Sequence, residues 1–184
     1  MHCLQQPKSA CLLLCCLLQQ VPLLEIDGQK IVQSWAIVRY LGAKDNLPPE
    51  RAWVADAAAE TVRDWFSDAG LLGFGWSPDR APALAKAEAA AARYLPGFER
   101  ALKDRYLTRP QPCWADFQLL LVLDYTVDLL GEGVLEGFPK LIALRDGLRK
   151  LPGMQEFYAS EHYKGLVDLR YMMEVRAALS SAKA

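Results

Sequence analysis

Hydrophobic positions change their period once along this chain. Leu23, Leu24 and Ile26 form one short apolar run, and Lys30-Ile31-Val32 returns as a second, with Asp27-Gly28 between them. Glycine accepts positive φ at no steric cost, so Asp-Gly between two such runs predicts a two-residue hairpin. Ala36, Ile37, Tyr40 and Leu41 then fall at helical spacing, and Ser34 just ahead of them suits an N-cap. A strand–turn–strand–helix unit of this kind carries free N–H groups and the positive end of a dipole at Gln33-Ser34. That combination favours a carboxylate.

Beyond Leu47 the pattern is helical throughout. Pro48-Pro49 breaks the first helix and makes a short linker. Glu50 to Ala69 carries apolar positions at Trp53, Val54, Ala57, Val62, Trp65 and Phe66, with Arg63, Asp64 and Asp68 interleaved. Gly70 to Pro82 contains three glycines and two prolines and reads as a loop. Ala83 to Asp104 is alanine-rich and strongly helical, with Pro96 expected to kink it or end one part of it. Trp114 to Leu130 is almost wholly apolar, which predicts the central buried helix of a bundle. Phe138 to Lys150 and Met154 to Ser160 are amphipathic, and Gly165 to Ser180 would make a last helix. No strand signal of any length follows residue 33. The expected architecture is therefore a small α/β piece, residues 1–47, followed by an all-α domain, residues 48–184.

Composition narrows the function classes. At 52% hydrophobic and 23% charged, the 184-residue chain is globular, with enough length for one domain or two small ones in contact. A net charge of −1 gives no argument for nucleic acid or for an anionic membrane surface, and neither partner is expected. There is no repeated C-x₂-C pair, and His2 and His162 lie far apart, so a structural zinc site is not expected. Four of the five cysteines crowd before residue 17. They make no disulfide framework and point to a reducing, cytoplasmic compartment. Ala10 to Leu18 is an unbroken apolar run too short to span a bilayer. It leads into Gln19-Gln20-Val21-Pro22 without a small-residue cleavage pattern, so the expectation is a buried strand or helix under the hairpin.

The run QQVPLLEIDGQKIVQSWAIVRYLGAKDNL, from Gln19 to Leu47, resembles the glutathione-site segment of glutathione transferases, the alpha class in particular. The resemblance continues through RYLPGFERALKD, RYLTRPQPCWADFQLLL and FPKLIALRDGLRKLPGMQEF, in the family's order and spacing, over residues 20 to 160. It implies a partial thioredoxin-like N-terminal domain followed by a transferase-type helical bundle. It also implies glutathione as co-substrate without a further cofactor, a small apolar electrophile, and a homodimer. The family would place a strand, a helix and a second strand before Gln20, including the tyrosine or serine that activates glutathione. Here nineteen residues precede Gln20, with no tyrosine and only Ser9 as a hydroxyl. The first part of the thioredoxin-like domain is read as missing or replaced, and the catalytic residue is left unassigned.

The resemblance assigns roles residue by residue. Pro22 would be cis, turning the Val21 N–H and C=O outward to pair with the cysteinyl backbone of glutathione like one extra strand. Read from the residues alone, a trans proline opening an edge strand fits as well. Ser34 and the helix N-terminus would hold the γ-glutamyl carboxylate, with Gln33 alongside and Gln20 nearby. Asp64 and Arg93 would reach the glutathione of the neighbouring subunit. Without the family, both are ordinary solvated helical charges. Cys113 stands where the family usually has Ser or Thr capping the buried helix, while Asp116 reaches back to backbone donors. Trp65, Phe66, Phe74 and Trp76 read as core, and some of them could wall an electrophile pocket with Tyr171, Met172 and Val175.

The expected reaction is attack of a glutathione thiolate on an electrophilic carbon. The protein's work there is to lower the thiol pKa and hold the anion beside an apolar pocket. Without an identified donor, slow conjugation is expected of this chain. The alternative from another class is a non-catalytic transferase-like binding or scaffold protein.

Overall fold

Asp27 and Gly28 sit at φ 50 and 72, the two positive values that a type I′ hairpin turn requires. They join strand β1 (Leu23–Ile26) to strand β2 (Gln29–Val32), antiparallel, with Leu23 opposite Val32 and Glu25 opposite Lys30. The Glu25–Lys30 pair closes across the strands at 2.8 Å, with both side chains partly in solvent. A pair of this kind contributes well under about 1 kcal/mol. This computed structural model describes residues 22–43, 49–70, 81–108, 111–161 and 163. The Ala10–Leu18 run, Gln20, Val21, Phe74, Trp76 and the expected helix from Gly165 to Ser180, with Tyr171, Met172 and Val175, lie outside them.

Contacts divide the chain into two compact units, Met1–Leu47 and Pro48–Ala184. In the first unit, helix α1 (Ser34–Ala43) follows the hairpin directly. The Ile37 N–H donates to the Gln33 carbonyl at 3.0 Å. Gln33 therefore occupies the cap position and Ser34 is the first helical residue, so the helix begins one place earlier than the sequence suggested. The Tyr40 hydroxyl reaches back to the Asp27 carboxylate at 3.4 Å, tying the helix to the turn.

Among its described residues the second unit has helices and connecting loops and no strand. It contains α2 (Pro49–Asp68), α3 (Ala81–Ala101), α4 (Trp114–Leu130), a 3₁₀ turn (Glu132–Leu135), α5 (Pro139–Arg149) and α6 (Pro152–Ala159). Helix α4 is buried nearly all round and packs against α2, α3 and α5. A helix without a polar face can lie only at the centre of such a bundle. Gly131 at φ 86 ends it, its N–H donating to the Val127 carbonyl at 2.8 Å. On α3 the buried face repeats with a helical period through Ala87, Ala90, Ala91, Tyr94, Leu95 and Phe98. Trp65 of α2 is fully buried and stacks on Tyr94 and Phe98, with ring centroids 5.6 and 5.9 Å apart.

One expectation about the helices is narrowed and one is corrected. Of the two outcomes expected at Pro96, a kink or an end, the end is excluded, because α3 runs on to Ala101. Burial of Tyr94 and Leu95 on one side and Phe98 on the other offsets the lost backbone bond. Trp53, grouped by periodicity with the core positions of α2, is 65% exposed. The contacts that α2 makes with α3 and α4 use its opposite side, at Ala55, Ala59, Val62 and Trp65.

Candidate functional site

The register of the hairpin brings Pro22 and Gln33 to the same end, because each flanks the Leu23–Val32 pair. Gln33 stands at φ 74 between the last residue of β2 and the first of α1. An L residue in this left-handed region carries on the order of 1–2 kcal/mol of strain. Such strain persists where the surroundings over-determine it, and it concentrates at binding sites. Pro22, Gln33 and Ser34 are all exposed. No acidic side chain stands in the first turn of α1. The N–H groups there lie beside an amide and a hydroxyl, a set of donors matched to a carboxylate.

In the second unit Asp64 lies exposed on α2 and Arg93 exposed on α3. The carboxylate that Arg93 grips is Asp68, at 2.7 Å. The Tyr94 hydroxyl donates to the same Asp68 oxygen at 2.7 Å, and the Arg93 guanidinium lies 4.9 Å from the Tyr94 ring centroid. Burial first, and then the Asp68 carboxylate, push the Tyr94 phenol above its usual range; Asp64 adds to the negative potential there. Sequence reasoning passed over Asp68. Its i, i+4 spacing from Asp64, which puts both on one helix face, was the available signal. Beside this cluster an open cleft of about 340 Å³ is lined by Val54, Thr61, Arg93, Tyr94, Phe98 and Leu107.

Cys113 is fully buried, and burial, then the Asp116 charge, pushes its thiol up. A thiol in that state is a poor nucleophile. Its place is structural. Asp116 accepts from the Cys113 N–H at 2.8 Å and, with its other oxygen, from the Leu107 N–H at 2.8 Å. Among the described residues no group of three or more His, Cys, Asp or Glu side chains could hold a metal ion. None of the described helices is long and apolar enough to cross a membrane.

Comparison with known proteins gives a consistent picture. A family model described as "Glutathione S-transferase, N-terminal domain" matches residues 1–43. A second, "Glutathione S-transferase, C-terminal domain", matches residues 78–161. The chain is 40% identical over 149 residues to glutathione S-transferase alpha-3 of Rattus norvegicus, covering 76% of this chain and 66% of that one. It is 32% identical over 174 residues to glutathione S-transferase 3 of Gallus gallus, covering 88% and 73%. The glutathione S-transferase of Ascaris lumbricoides superposes with a TM-score of 0.65 at 25% identity, over 76% of this chain and 73% of that one. A monomeric glutathione S-transferase of Necator americanus shares the fold with a TM-score of 0.65 at 22% identity, over 77% and 74%. The chain spans about two thirds of the length of the mammalian relatives, 66% of the rat enzyme.

Proposed function

The chain belongs to the glutathione S-transferase family, and on that membership we propose that it holds glutathione at the open end of its hairpin for transfer to a small apolar electrophile. The observation that carries this reading is the backbone of Gln33. Its φ of 74 turns the chain directly from β2 into α1, leaving the first N–H groups of the helix at an exposed edge. A γ-glutamyl carboxylate is bound there by the N–H groups, the Ser34 hydroxyl and the Gln33 amide. The Val21 backbone ahead of Pro22 pairs with the cysteinyl unit, and Gln20 flanks it. Asp64 and Arg93 serve the glutathione of a partner copy, so the working unit is a homodimer. No cofactor beyond glutathione is required, and the setting is cytoplasmic detoxification.

The conjugating step is attack of the glutathione sulfur on electrophilic carbon with loss of the leaving group. An unperturbed thiol titrates near pKa 8.5, so a donor aimed at the sulfur is needed to enrich the thiolate at neutral pH. The residues assigned to the site do not include an identified donor. Conjugation of an aryl halide, assayed beside the rat alpha-3 enzyme, reads whether the chain supplies that donor. Retention on immobilised glutathione, released by free glutathione, is the first expected result; no retention would remove the site. Turnover at the rate of the rat enzyme would put the activating donor within these residues. Retention and binding of a hydrophobic dye, with no turnover, would make the protein a binding module.

A further inference from the structure

None of the eight residues of α6 is buried, and Phe157 is 46% exposed. Apolar burial scales with area removed from water, so it contributes little to holding this helix in place. The helix is nevertheless fastened at one point. The Tyr158 hydroxyl donates to Asp124 Oδ2 at 2.8 Å, and Asp124 lies 3% exposed within α4. The other oxygen of Asp124 accepts from Arg145 Nε at 2.6 Å and from Arg149 at 3.2 Å. Arg145 is held in turn by Glu132 through two bonds of 3.0 and 3.2 Å. Asp124 is thus fixed and charge-compensated by α5 alone. Tyr158 also meets rings and a cation: the Arg149 guanidinium 4.8 Å from its centroid, Tyr163 edge-on at 4.8 Å and its neighbour Phe157 at 5.7 Å. At its other end α6 joins α5 through Lys150 and Leu151, where the Leu151 carbonyl accepts from the Met154 and Gln155 N–H groups.

We propose that α6 is a latch-held helix that undocks as a unit about Lys150–Leu151 while α4 and α5 stay packed, and that the Tyr158–Asp124 hydrogen bond is the latch. Opening is inexpensive because Asp124 keeps both arginines, so no bare charge is left in the interior. Burial and the Asp124 bond hold the Tyr158 phenol well above its usual range, so the donor stays protonated through neutral and mildly alkaline pH. Elements with few buried apolar contacts open below the global unfolding free energy.

Native-state hydrogen exchange on the full chain tests this. In the unmodified protein the amides of Glu156–Ala159 should exchange at least about tenfold faster than those of mid-α4, through an opening that low denaturant barely accelerates. Tyr158→Phe removes one bond to a charged acceptor and should speed α6 exchange about tenfold further, leaving α4 unchanged. Tyr163→Phe keeps its ring against Tyr158 and should leave α6 within about twofold of the unmodified protein. Exchange of α6 and α4 through one common opening would overturn the proposal even without a variant. So would a Tyr158→Phe protein in which α6 exchange is unchanged, or in which both helices speed up alike.

Discussion

At Gln33 a single residue carries the turn from sheet to helix. Its strain sets up a direct test of whether the side chain or only the backbone matters. Gln33→Gly relieves about 1–2 kcal/mol of left-handed strain and costs about 0.5–1 kcal/mol in chain entropy. The unfolding midpoint should therefore hardly move or rise slightly. Retention on immobilised glutathione should fall sharply, because the amide is lost. A glycine variant retained as well as the parent would take the Gln33 side chain out of the site. Asp116 illustrates the same scale from the structural side. Its bond to the Cys113 N–H is legible as a capping pattern three residues apart. Its bond to the Leu107 N–H joins residues nine apart through a loop, and no local pattern announces it.

Helix α5 shows how an element is completed by another. Its cap residue, Phe138, has no side chain able to accept a hydrogen bond, and Pro139 opens the helix. The missing acceptor comes from α3: Glu99 takes the Lys140 and Leu141 N–H groups, each at 3.1 Å. A carboxylate there also meets the positive end of the helix dipole. Glu99→Ala should lower stability by about 1–2 kcal/mol in urea unfolding, and Glu99→Gln by less, since one acceptor oxygen survives. A Glu99→Ala loss below about 0.3 kcal/mol would show that water replaces the cap. The α3–α5 approach that brings Glu99 there also aims the Lys140 ammonium at the Leu102 carbonyl, 2.8 Å away.

For the whole molecule, the α2–α3 surface is the expected meeting place of two copies. Trp53 stands on α2, 65% exposed, and the cleft between α2 and α3 carries Arg93 and Tyr94 on its wall. Light scattering at micromolar concentration should give twice the chain mass of 20.5 kDa. Trp53→Arg should shift the mass toward the single chain while leaving the far-ultraviolet helical signal intact. A stable monomer for the unaltered protein would end the case for Asp64 and Arg93 as ligands of a neighbour's glutathione.

The hairpin, its turn and the central helix α4 could be read from the chain because their causes are local. Asp27-Gly28 can satisfy a type I′ turn by itself, and seventeen residues from Trp114 to Leu130 that lack a polar face have nowhere to go but the interior. Glutathione-transferase membership was legible for a similar reason, since it rests on ordered motifs and not on packing. The partners of charges were not legible. Arg93 pairs with Asp68, Asp124 gathers Arg145, Arg149 and Tyr158, and Glu99 caps a helix some forty residues away. Each of these depends on which helix faces lie together once the bundle closes. The continuity of α3 through Pro96 and the exposure of Trp53 were decided at the same level, because neighbouring helices fix which side of each helix faces inward and so overrule a pattern read one helix at a time.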